Sequence, residues 1–98
     1  MRLSTAAPTF EWDPAKAATN LKNHGVSFEG AATTLQGPLA RIHDDPSHSL
    51  SERRQIIVGH SSLGRLLVVS FTEHGSNIRL ISARPVTPRE RRDYEEAK

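Results

Sequence analysis

The run "RQIIVGHSSLGRLLVVSFTEHGSNIRLISAR", residues 54–84, constrains the fold more than any other part of the chain. Its apolar segments, Arg54 to His60, Arg65 to Thr72 and Asn77 to Arg84, are separated by "SSLG" and "EHGS". Strand-like segments joined by short turns containing Gly predict an antiparallel meander. The last strand raises a question of its own. Simple alternation of side chains places Arg79 on a face with Ile81 and Ala83, and Arg84 with Ile78 and Leu80. A guanidinium held against a sheet needs a partner, since burying it alone is costly. Either acidic residues of this chain supply one (Glu52, Glu73, Glu90, Asp44 or Asp45), or an anion from outside does.

The first half of the chain reads as helices. Thr9 to Trp12 is a short predicted strand. Asp13-Pro14 then starts a helix, with Asp as N-cap and Pro at the first position. Ala15, Ala18 and Leu21 form its apolar stripe, and His24-Gly25 ends it. Ser27 caps a second helix in which Phe28, Ala31, Ala32 and Leu35 face inward, stopped by Gly37-Pro38. Leu39 to His43 is a further strand, followed by the polar loop "DDPSHSLSE". At the other end, Thr87, Pro88 and Glu90 compose a capping box that starts a last helix. Only Tyr94 and Ala97 anchor that helix, and its i,i+4 charge pairs run cation first, the weaker order. It needs a partner to dock. The fold class is α+β: a small antiparallel sheet with two N-terminal helices and a C-terminal helix, the helices against one face. Residues 1–8 are expected to be a disordered lead-in and 9–98 a single domain.

Composition excludes several classes. There is no cysteine among the 98 residues, so disulfides and thiolate zinc sites are ruled out. "MRLSTAAPT" has no apolar core and is not expected to act as a secretory signal, and no apolar run reaches membrane-spanning length. Cytoplasmic location is the expectation. The five histidines, His24, His43, His48, His60 and His74, show no His-x-x-x-His spacing, so no metal and no cofactor is expected. No Gly-x-Ser-x-Gly elbow or phosphate-cradling Gly loop occurs. The charge is uneven: residues 1–50 carry four Lys or Arg against five Asp or Glu, and residues 51–98 carry nine against six. Ten of the thirteen cations are Arg, whose planar fork matches phosphate. A floor of Arg54, Arg65, Arg79 and Arg84 would suit an RNA backbone and the extra charge of its transition state. Lys22 and His24, at the end of the first helix, are candidate proton-transfer groups, although two residues apart they share a face only if the last turn frays.

Three segments together resemble a known family. They are "WDPAKAATNLKNHG", "RQIIVG", and "RLISAR" with "ERRDY" behind it. In combination they are similar to the BrnT-type toxins, the ribonuclease half of a type II toxin–antitoxin pair with a RelE-like fold; the likeness spans residues 9–96. The resemblance implies metal-independent RNA cleavage that inhibits translation and growth. It also implies a BrnA-type ribbon-helix-helix antitoxin, assembled as two toxins with two antitoxins, through which alone the toxin meets DNA. The matching polar positions are Trp12, Asp13, Lys16, Asn20, Lys22, His24, Arg54, Arg79, Arg84, Glu90 and Tyr94. Trp12 and Asp13 read as structural, and His60 and His74 stand at turn-flanking places where arginine or another polar residue is expected. The candidate catalytic set is Lys22, His24, Arg54, Arg79 and Arg84, with Arg65, Glu52 and Tyr94 as RNA-binding positions. The competing reading is a non-catalytic binding module that acts only with its DNA-binding partner in transcriptional autoregulation.

Overall fold

The computed structural model describes residues 9–36, 41–44 and 54–96, with the backbone alone for 41–44. Glu52, the loop 45–53 and the lead-in 1–8 lie outside the described residues. The elements are β1 (Thr9–Glu11), α1 (Pro14–His24), α2 (Phe28–Ala32) running into a 3-10 turn (Thr33–Gln36), β2 (Arg41–Asp44), β3 (Arg54–His60), β4 (Leu66–His74), β5 (Asn77–Pro85) and α3 (Pro88–Glu96). They match the expected order. Among the described residues no helix is long and apolar enough to cross a membrane.

The five strands form one sheet in the order β1-β5-β4-β3-β2. β2 to β5 are the antiparallel meander; β1 adds to the β5 edge in parallel, Phe10 opposite Ile78, which makes the sheet mixed. The β4–β5 hairpin turns on two residues, with Gly75 at φ 65 in the first loop position. A side chain there would be strained, which fits the Gly of "EHGS". The strands consequently run to His74, further than the turn signal suggested.

One face of the sheet carries the core. Ile57, Leu67, Val69, Phe71, Leu80 and Ala83 meet Val26, Phe28 and Ala31 from the α1–α2 side, all fully or nearly fully buried. Each large apolar side chain so buried stabilises the fold by about 1.5–3 kcal/mol. Trp12 sits edge-on to Phe28 at 5.9 Å. The helix starts follow their caps: Asp13 accepts from the Ala15 amide at 2.8 Å and Ser27 from the Gly30 amide at 3.0 Å. Gly25, at φ 68, closes α1 by donating to the Leu21 carbonyl. α2 stays short because the Thr33 and Thr34 hydroxyls bond back to the Gly30 and Ala31 carbonyls, a competition that tightens the last turn.

Two expectations need correcting. The helices do not share one face: α3 leans on the opposite face, where Arg84 and His60 point. Nor does β5 alternate simply. Phe71 pairs with Leu80, but Ser70 pairs with Ser82, so Ile81 is an extra, bulged residue. A bulge shifts the phase of every residue beyond it. Leu80 and Ala83 thereby both face the core. Arg79 and Arg84, expected on opposite faces, fall on the same one.

Candidate active site: an arginine-bearing sheet face beside a helix groove

Cross-strand pairing fixes which side chains share the second face. Glu11, Arg79, Thr72 and Arg54 form one row across β1, β5, β4 and β3. Ser82, Ser70 and Ile56 form the next, and Arg84, Val68 and Val58 the one after. Three of the expected arginines are thus brought onto a single face. They are not equally committed. Arg84 forms two parallel 2.8 Å bonds to the Glu90 carboxylate. This is the bidentate geometry in which an Arg–carboxylate pair is strongest. The Arg84 guanidinium in particular, together with the Thr87 amide, holds the Glu90 carboxyl down at about 2. Arg84 is correspondingly raised, chiefly by its bonds to Glu90. Arg79 is held far more loosely: half exposed, it meets Glu11 through Nε at 3.5 Å. That carboxylate also faces His74 Nδ1 at 2.7 Å and accepts from the Asn77 amide at 2.9 Å. The Asn77 bond first, then the His74 contact, lowers the Glu11 carboxyl. Arg54 lies half-buried at the start of β3.

Beyond Glu11, among the described residues, no strand pairs with the β5 edge, and α1 takes that place. Asn20 is the connection. Its side-chain oxygen accepts from the Ala83 amide at 3.0 Å, and its nitrogen donates to the Ala83 and Val26 carbonyls at 2.9 and 3.0 Å. One buried amide therefore satisfies both backbone groups of an edge residue, as a neighbouring strand would. Between α1 and the bulge lies a groove of about 340 Å³, lined by Lys16, Thr19, Asn20, Asn23 and His24 from the helix and by Ile81 and Ser82 from the strand. Ser82 belongs to the arginine-bearing face, so groove and face adjoin. The ionisable groups of the lining are Lys16 and His24, with no carboxylate among them. The arrangement has the charge to take an anion along the face, with a lysine and a histidine beside it.

Of the expected residues, His24, Arg54, Arg79 and Arg84 are brought to this region. α1 remains regular through His24 instead of fraying, so Lys22 is exposed outside the groove. Arg65 lies away from the other arginines: its guanidinium donates to the Gly25 carbonyl at 2.8 Å, tying the β3–β4 turn to the end of α1. Tyr94 packs edge-on to His60 at 5.8 Å, at the α3 end of the face. Glu52 is outside the described residues. Lys16 is the groove residue missing from the candidate set. Its signal was present, since Lys16, Asn20 and His24 follow at i, i+4 and i+8, one stripe of a helix. Among the described residues no group of three His, Asp or Glu is placed to hold a metal ion.

The chain is similar in fold to the Brucella abortus ribonuclease toxin BrnT, whose crystal structure superposes with a TM-score of 0.64 at 23% identity, covering 83% of this chain and 99% of that one. No match is found among curated proteins. A family model described as the ribonuclease toxin BrnT of type II toxin–antitoxin systems matches residues 12–90, which include α1, the meander, the bulge and the start of α3. The chain therefore belongs to the BrnT family of ribonuclease toxins of type II toxin–antitoxin systems.

Proposed function

We propose that the chain cleaves RNA without a metal ion, using the groove and the adjoining arginine face, and that this cleavage inhibits translation and growth. The observation that carries the reading is the cross-strand row that sets Arg79 and Arg54 on one face of the sheet, beside a groove lined by His24 and Lys16. RNA brings its own nucleophile, so positioning, proton transfer and charge stabilisation suffice. The 2′-hydroxyl attacks the adjacent phosphorus, a new P–O2′ bond forms, and the P–O5′ bond breaks. His24 takes the hydroxyl proton, and Lys16 supplies one to the departing 5′-oxygen. Arg54 and Arg79 stabilise the charge that builds on the phosphoryl oxygens. Arg84, already doubly bonded to Glu90, anchors α3. Lys22 lies outside the groove and takes no part in the step.

The antitoxin in this reading is a BrnA-type ribbon-helix-helix protein whose dimer bridges two toxins, in the cytoplasm, and DNA is met only through it. An acidic or amphipathic segment of it covers the arginine face. The test is incubation of the purified chain with RNA in excess EDTA, followed by analysis of the 3′ ends. Fragments ending in 2′,3′-cyclic phosphate are expected. Chelator-sensitive cleavage would overturn the metal-free mechanism. No cleavage, with antitoxin binding intact, would favour the binding-module reading.

A further inference from the structure

Asn20 and Asn23 stand one turn apart on α1 and are used in opposite ways. The Asn20 amide is fully engaged, with three hydrogen bonds at a buried position. Asn23, Thr19 and Ser82 line the groove with exposed side chains that, among the described residues, make no side-chain hydrogen bond. Their donors and acceptors converge on one space, which Asn20 closes off as a wall. Its volume of about 340 Å³ is at the small end of ligand sites, about 300–1,000 Å³. That suits one planar heterocycle and is too small for a folded peptide segment. Ile81, displaced by the bulge, adds an apolar surface to the same space. The ionisable lining residues are Lys16 and His24, with no carboxylate among them, which favours a ligand that carries negative charge.

We propose that this groove binds a single unstacked nucleobase of the RNA and reads it through Asn23, with adenine preferred. The inference rests on the RNA-cleaving reading above and names the specificity of the same site. Single-stranded RNA is recognised through bases splayed out of the stack and hydrogen-bonded on their edges. An asparagine amide offers one donor and one acceptor side by side, the complement of adenine N7 and N6. Thr19 and Ser82 complete the hydrogen bonding around the base. With the base so placed, its own ribose is brought beside His24, and the adjoining phosphates run onto the arginine face.

The test is end-mapping of a mixed-sequence RNA after cleavage by the wild type, Asn23→Ala and Ser82→Ala. The wild type should favour adenine at one fixed position next to the cut. Asn23→Ala should reduce that preference about tenfold, the scale of one lost bidentate pair, and Ser82→Ala should reduce it in the same direction. Asn23 is exposed on a helix, where Ala is the better helix former, so a normal melt is expected; should that variant melt early, Ser82→Ala supplies the readout. A wild type that cleaves with no adenine preference, or variants that keep the wild-type pattern, would overturn the proposal. Variants that keep the pattern but lose antitoxin binding would assign the groove to the protein partner instead. No cleavage by the wild type would remove the RNA-cleaving reading itself, and this proposal with it.

Discussion

Asn20 shows how much one side chain can hold in place. Replacing it by Ala strands the Ala83 amide and carbonyl at a buried edge. Leaving such groups unsatisfied costs about 1–3 kcal/mol each. Asn20→Ala should therefore lower unfolding stability by about 3 kcal/mol, measured by chemical denaturation. It should also reduce cleavage by letting α1 drift from the bulge. His24→Ala makes a contrasting prediction. His24 is exposed and holds no core contact, so its removal should leave the denaturation midpoint unchanged while slowing cleavage about 10²–10⁴-fold, the range of general acid–base catalysis. Equal loss of stability and activity in this variant would make it structural. At this scale the sequence was partly legible. The i, i+4, i+8 stripe of Lys16, Asn20 and His24 could be counted off. The Glu11–Arg79 contact could not, because it depends on β1 joining β5 in parallel from across the chain.

Among the elements, β5 and α3 decide the site. The strands, caps and turns were readable because each rests on local chemistry: Asp13, Ser27 and Thr87 cap their helices, and Gly75 sits where φ is positive. The bulge was not readable. Nothing in "RLISAR" marks Ile81 as extra; only the demand that Leu80 and Ala83 both reach the core selects it. Deleting Ile81 should give a regular ladder in which Leu80 and Ala83 still face the core and Arg79 and Arg84 still share the opposite face, while the groove loses its Ile81 wall. We expect that deletion to keep a cooperative thermal melt but to slow cleavage; a deletion variant that cleaves like the wild type would show that the bulge does not shape the site. α3 has no buried residue and depends on Arg84–Glu90, with Tyr94 against His60. The Glu90 carboxyl is held at about 2 in the folded chain, below its ordinary value near 4.3. The pairing therefore stabilises α3 fully above the ordinary value, and that contribution is lost as pH falls from there towards 2. Amide exchange in residues 88–96 should accelerate across this window, and Glu90→Gln should exchange fast at every pH. Acid-independent exchange in the wild type would show that another contact holds the helix.

For the molecule as a whole, the formal net charge of +2 is too small to draw RNA by itself. Binding must come from where the cations sit. Arg54 and Arg79 are assigned to the phosphoryl oxygens, and Lys16, the proton donor to the departing oxygen, adds a third cation beside the backbone. For single-stranded nucleic acid each neutralised phosphate contributes about −0.7 to the slope of log affinity against log salt. Three contacts give a slope of about −2, to be measured by fluorescence anisotropy with an RNA analogue whose 2′-hydroxyls are removed to prevent cleavage. A slope near zero would mean the arginine face does not hold the backbone. The same cations are assigned to the antitoxin, so RNA and antitoxin should compete, and the antitoxin's grip should weaken with salt in parallel.

In the proposed mechanism Arg79 is held for RNA and not for Glu11. Its contact with that carboxylate is long and half exposed, the kind of pair worth about 0–1 kcal/mol. Parallel measurement of melting temperature and cleavage rate for Arg79→Ala separates the two uses. We expect a melt indistinguishable from wild type and a cleavage rate reduced about 10²–10³-fold, the scale of losing one charge-stabilising donor. A variant that cleaves as fast as the wild type, or slows only as far as it unfolds, would contradict the assignment of this face to RNA.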